Sequence, residues 1–175
     1  MALKSTPDRY GSVARVLHWI TALAIFGLLI TGQMLETTDP SAGLTALSLH
    51  APLGLSVLVL TLARLAWWGL ADTRPAPLGK GLQVRAAKAA HFGFYVLMLG
   101  MGASGIAMMM LSGAGDILSG AATGPLPDFR DYLPRIPHGI GAKLMIALIV
   151  LHIGAALYHH AILKDATLKR MGMRG

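Results

Sequence analysis

The chain has no cysteine. That absence removes disulfides, thiolate-ligated iron–sulfur clusters and covalent haem attachment through a C-x-x-C-H motif. Charge is also scarce: 13% of the 175 residues are charged and 54% are hydrophobic, with a mean hydropathy of +0.60. Soluble domains do not have this composition. Acidic residues number eight against fifteen Lys and Arg, and no carboxylate falls inside an apolar run. The net charge of +7 does not indicate nucleic acid, because the basic residues sit at the ends of apolar segments and form no interleaved patch. A membrane surface accounts for them. With cysteine gone, a tightly bound redox group has to be held mainly by the seven histidines.

A transmembrane helix needs about 20 mainly apolar residues. Four segments reach that length: Val16 to Leu35, Ala46 to Leu70, Ala89 to Ser112 and His138 to Leu163. The first is too long for a signal peptide and is followed by no small-x-small cleavage site in Gly32-Gln33-Met34-Leu35-Glu36, so it reads as a retained span. No repeat and no polar stretch long enough for a second domain is present, and Pro75-Ala76-Pro77 reads as an ordinary linker. The expectation is a single all-α domain over residues 1–175, an integral membrane four-helix bundle.

Lys and Arg set its orientation. Lys4, Arg9 and Arg15 precede the first span; Arg74, Lys80, Arg85 and Lys88 separate the second from the third; Lys164, Lys169, Arg170 and Arg174 follow the fourth. The other two loops carry only Arg130 and Arg135, against Asp116, Asp128 and Asp131 in the same loop. Both termini are therefore expected in the cytoplasm.

An ionisable side chain inside a span is costly and marks function by default. Near a helix end, as for His91 or His160, interfacial solvation explains a histidine well enough. Spacing makes the stronger case. His138 and His152 are 14 residues apart, which returns to nearly the same helix face and separates them by about 21 Å. Met145 lies halfway between and His159 seven residues beyond. In the second span His50 and Arg64 repeat the 14-residue spacing, and the first span carries His18 near its inner end. With spans alternating in direction, His50 and His138 lie toward the outside and His18 and His152 toward the inside.

Two histidine pairs at two depths suit bis-histidine ligation of two b-type haems held between helices. Small residues flank each ligand: Gly54, Gly141, Ala22 and Ala155, as they also do at plain transmembrane helix contacts. Arg64 either pairs with a haem propionate or snorkels at the end of its span. Lys143 reads as snorkelling outward, with the outer propionates as the alternative. Helix arithmetic permits His18 to pair with His159, but that would separate the irons by about 32 Å along the helix. His152 is therefore taken as the ligand, leaving His159 as a candidate for a propionate or quinone contact. Trp19, His159 and His160 gather at the inner surface, where they suit an interfacial belt as well as a quinone head group.

The sequence resembles the small bacterial dihaem cytochrome b561 proteins over nearly its whole length. The resemblance is carried by Arg15-x-x-His18-Trp19, by His50-x-x-x-Gly54 with Arg64, and by His152-x6-His159-His160-x4-Asp165-x-x-Leu168-x-Arg170-Met171. It implies a bacterial inner-membrane oxidoreductase with two haems b, ligated by His18 with His152 and by His50 with His138. It further implies that superoxide or another periplasmic donor supplies electrons, with ubiquinone as acceptor and the lipid bilayer as surroundings; association of copies of the chain stays open. Arg135 and Lys143 near His138 would steer an anionic donor. Two rivals remain at this level. One is a dihaem membrane subunit of a hydrogenase or formate dehydrogenase. The other is a histidine-based metal-ion transporter, which predicts intramembrane carboxylates that the spans lack.

Overall fold

The computed structural model describes residues 2–37 and 40–172. Four helices are long and apolar enough to cross a membrane. They are α1 (Ser12–Thr37), α2 (Pro40–Ala66), α3 (Leu82–Ser112) and α5 (Arg135–Ala161). Two short helices, α4 (Ala114–Ser119) and α6 (Thr167–Arg170), follow the third and fourth spans. No strand occurs among the described residues. Arg174, counted among the flanking basic residues above, lies outside them.

The helices overrun the apolar windows at several ends. α3 starts seven residues before Ala89 because Gln83, Arg85 and Lys88 are good helix formers although hydropathy excludes them. α5 begins at Arg135 with Pro137 in its first turn, where the missing N–H costs no hydrogen bond. α2 passes through Pro52 and closes in a π-helical turn, Trp67–Ala71. Gly113 and Gly120, both in the left-handed region (φ +70° and +77°), bound α4.

α1 packs against α2 and α3 against α5, and the two layers are joined mainly by α2 on α3. The backbone of α5 keeps its distance from α1 and α2. The buried centre takes one residue from each span: Ile25, Val57, Met98 and Met145. Each is the middle of a triplet at seven-residue spacing: His18-Ile25-Gly32, His50-Val57-Arg64, His91-Met98-Gly105 and His138-Met145-His152. Two turns of helix span about 7.2 residues, so each triplet holds one face.

The buried hydroxyls inside the bundle are satisfied locally. The buried hydroxyls of Thr21, Thr31 and Thr61 donate to the carbonyls of Leu17, Gly27 and Val57, at 2.6, 2.8 and 2.7 Å, as the absence of water within a bilayer requires. Glycine permits close approach at the helix contacts. A Cβ on Gly102 would lie 3.0 Å from Leu58, and one on Gly141 2.9 Å from Met101. Large apolar side chains such as Leu23, Ile30, Val150 and Leu151 face outward, where lipid covers them.

Both described termini lie at the same end of the bundle, called the inner end below. There the N-terminal segment, the α2–α3 linker and the C-terminal segment are tied together. Asp72 accepts from the backbone N–H and hydroxyl of Ser5 (2.9 and 2.8 Å) and from Trp67 Nε1 (3.1 Å). Ala76 N–H donates to Pro7 O at 2.9 Å, and Arg170 donates to Ala76 O. Trp19 Nε1 donates to Met171 O at 3.3 Å.

Candidate functional site

At the outer end, His50 of α2 and His138 of α5 face each other with ring centroids 6.2 Å apart and planes inclined by 61°. The surrounding groups decide which nitrogen of each ring carries the proton. Met101 O lies 3.2 Å from His138 Nδ1, and a carbonyl can only accept, so His138 Nδ1 is protonated. Ser104 Oγ, 3.1 Å from the same nitrogen, spends its own proton on Met101 O. Thr31 does the same on α1: its hydroxyl donates to Gly27 O and therefore accepts from His50 Nδ1 at 2.9 Å. In both rings the Nε2 lone pair is left over, with no protein donor among the described residues.

Glycine makes room for these rings. A Cβ on Gly32 would stand 3.2 Å from His50 Cε1, and one on Gly105 3.5 Å from His138 Cε1. Thus α1 supplies Gly32 and Thr31 to one ligand candidate, while α3 supplies Gly105 and Ser104 to the other.

At the inner end, His18 of α1 and His152 of α5 stand with ring centroids 6.3 Å apart and planes at 58°. Trp19 lies against His18 at 5.2 Å, and Phe94 lies edge-on against His152 at 5.3 Å. The inner level is more polar than the outer. Where the outer triplets of α1 and α3 end in glycine, α2 and α3 here bring Arg64 and His91. His91 lies 6.2 Å from His152, ring to ring. Arg64 sits 5.9 Å over the Tyr95 ring.

These distances can be tested against a ligated iron. A metal–imidazole bond of about 2.0 Å, plus about 1.1 Å from nitrogen to ring centre, puts two trans axial rings about 6 Å apart. Edge-to-face packing covers the same range, so distance alone does not discriminate. The Nε2 atoms of the outer pair, left without a protein partner, are the ones available to take a metal. Both pairs also bridge the places where α5 stands away from α1 and α2, the gap a flat macrocycle requires. The residues present therefore fit a haem at each level.

His159 is turned to another task. Its Nδ1 lies 2.5 Å from Asp165 Oδ2, and its ring neighbours Tyr158, while the ring meeting His18 is that of His152. Burial alone would raise the Asp165 carboxyl, but hydrogen bonds from Thr167 and His159 outweigh it and hold the group at about 2. Trp19 Nε1 is likewise engaged, with Met171 O, whereas His160 is exposed. Lys143 is exposed on α5. Arg135 is not a free outer cation, because it pairs with Glu36 at the end of α1. His91 is the site residue that reading one helix at a time passes over. Its signal was the triplet His91-Met98-Gly105, which runs in step with that of α5.

Residues 9–173 match the family described as prokaryotic cytochrome b561. The chain belongs to that family. Among its relatives, Cytochrome b561 homolog 2 of Escherichia coli (strain K12) is 30% identical, the match covering 98% of this chain and 95% of the relative. Cytochrome b561 homolog 1 of the same organism is 31% identical, over 94% and 97% respectively. The probable superoxide oxidase CybB of Yersinia pestis is 27% identical over 93% and 95%. As a cytochrome b561 with four membrane-crossing helices, the chain is a bacterial membrane protein of electron transfer, and its family implies b-type haem.

Proposed function

We propose that this cytochrome b561 carries electrons across the inner membrane through two haems b, oxidising superoxide at the periplasmic face and reducing ubiquinone. His50 and His138 hold the outer iron, His18 and His152 the inner one. Bound haem would supply one-electron exchange at each level. The observation that carries the proposal is the pairing itself. Two facing imidazole pairs recur at two levels of one bundle, with ring centroids 6.2 Å apart in the outer pair and 6.3 Å in the inner, and with the outer pair's Nδ1 protons already committed to Thr31 and Met101.

The protein's part follows from these residues. Hydrogen bonds from Nδ1 fix each outer ring's tautomer and orientation and make Nε2 a stronger donor to the metal. The packed centre of Ile25, Val57, Met98 and Met145 separates the two levels and excludes water between them. Each superoxide gives up one electron and leaves as dioxygen, and two electrons with two protons convert one ubiquinone to ubiquinol. The basic residues at the inner end support a cytoplasmic location for both termini. The substrate is supported by the probable superoxide oxidase among the relatives.

The test joins a redox-titrated visible spectrum of the purified protein with stopped-flow mixing against superoxide. Two low-spin b-type haems per chain, rapid reduction by superoxide and reoxidation by a soluble ubiquinone are expected. One haem per chain would overturn the ligand scheme, and absence of reduction by superoxide would overturn the donor.

A further inference from the structure

At the inner end the guanidinium groups of Arg64 and Arg170 each have a nitrogen, Nε, shut away from solvent without a hydrogen-bond partner. Such a group forgoes its solvation and persists only where something compensates it. Neither pairs with a carboxylate: among the described residues the ion pairs are Arg135 with Glu36 and His159 with Asp165. Asp72, the acid within the α2–α3 linker, is spent on Ser5, Trp67 and Thr73.

The two arginines, 106 residues apart in the sequence, both come to the inner end, where each acts on Tyr10. Arg64 closes α2. Arg170 rides on α6, and the segment after α5 is folded back so as to deliver it. Lys164 takes a left-handed backbone (φ +52°), which a non-glycine residue adopts only under constraint. Asp165 then fixes the reversal by joining His159 and accepting from Thr167 N–H at 2.8 Å. The strap ends on the turn of α1 that carries the inner histidine. Trp19, bonded to Met171 O, packs on His18, and a side chain on Gly172 would meet the Arg15 guanidinium. Tyr10 reports the same convergence. Burial raises its phenol above the usual range, against the opposing pull of Arg74, Arg170 and Arg64. Arg74 lies over the Trp68 ring at 5.6 Å and Arg64 over the Tyr95 ring at 5.9 Å, and Arg170 donates to Ala76 O; none of these contacts takes up the Nε of Arg64 or of Arg170.

We infer that Arg170, carried by the C-terminal strap, and Arg64 together bind one oxyanion at the inner end of the bundle, a propionate carboxylate of the inner haem. This rests on the inner haem proposed between His18 and His152. A guanidinium fork matches a carboxylate in two parallel hydrogen bonds. The strap is then the piece that closes the inner haem site, and His159 acts as a positioning residue through Asp165.

Arg170→Gln, Arg64→Gln and Arg170→Lys are compared by redox titration and by resonance Raman spectra of the haem propionate bending bands. Each protein is measured in detergent alone and again with phosphatidylglycerol, since a lipid phosphate offers the same chemistry. Removing a positive charge near the inner iron stabilises its ferric form. Both glutamine variants should therefore raise the inner ferric-to-ferrous ratio several-fold at a fixed potential and shift the propionate band, in either medium. Arg170→Lys should retain much of the wild-type behaviour, and the unchanged spectrum and potential of the outer haem serve as the check on folding. An inner potential and propionate band unmoved by Arg170→Gln would overturn the inference. So would a shift seen only with phosphatidylglycerol, which would assign the anion to lipid. A wild type with one haem per chain overturns the ligand scheme instead, a result separate from any effect of the arginines.

Discussion

The hydroxyl of Thr31 lies 2.9 Å from Nδ1 of His50 and has already given its proton to Gly27 O at 2.8 Å. It is thus an acceptor, and the imidazole must donate. Thr31→Val keeps the shape and deletes the acceptor. The outer iron loses electron density from its ligand, so the outer haem should move to higher potential while the inner one stays in place. A redox titration that resolves the two haems measures this; an unmoved outer haem would remove Thr31 from the role.

His152→Ala and His159→Ala separate the ligand from its neighbour seven residues on. His152→Ala should remove one of two low-spin haems, about half of the reduced α-band amplitude. His159→Ala should keep both haems and instead loosen the strap. Retention of both haems by His152→Ala with loss of one in His159→Ala would reverse the pairing.

Gly32 is a test of room. A side chain there begins 3.2 Å from His50 Cε1, and branching brings more atoms against the ring. Gly32→Val should expel or misligate the outer haem and leave the inner one, read as a single remaining redox transition. Gly100, with nothing near its Cβ position, is the control: Gly100→Val should keep both haems.

Asp165 gives the strap a pH dependence. Its carboxyl titrates at about 2, below the ordinary 3.8. A depressed carboxyl contributes stability that is fully present above its unfolded pKa and is lost as pH falls through the folded value. The strap should therefore stay docked above about pH 4 and detach progressively as pH falls from there toward 2. Asp165→Asn should undock it at neutral pH, seen as several-fold faster tryptic cleavage after Lys169. Cleavage at the wild-type rate would show the pair to be dispensable.

The pair between Arg135 and Glu36 bears on how an anion reaches the outer end. Paired, the two charges nearly cancel beyond a Debye length of about 8 Å. Glu36→Gln should raise the rate of haem reduction by superoxide by roughly two-fold at low salt and Arg135→Gln lower it similarly, both effects fading as salt is added. Identical rates in both variants would take this pair out of donor approach.

Much of the architecture was legible along the chain. Four apolar runs gave four spans, since a span's length follows from the thickness of the bilayer and the rise of a helix. The recurrence of His138, Met145 and His152 on one face follows from helical period alone. Helix ends were legible only in part, because hydropathy is blind to residues such as Gln83 and Arg85 that favour helix without being apolar.

Tertiary structure decided what a single helix cannot encode. Spacing left His18 free to meet either His152 or His159; the packing of α5 brings His152 to it, and Asp165 engages His159. His91 stays exposed, and only the packing of α3 beside α5 brings its ring to that of His152. The roles of Gly32, Thr31, Gly105 and Ser104 were invisible, because each acts on a histidine of another helix. Arg170 is brought back to Ala76 at the inner end only because the chain reverses at Lys164. Local periodicity fixes which residues share a face and at what depth, whereas the meeting of two faces depends on how helices distant in sequence pack.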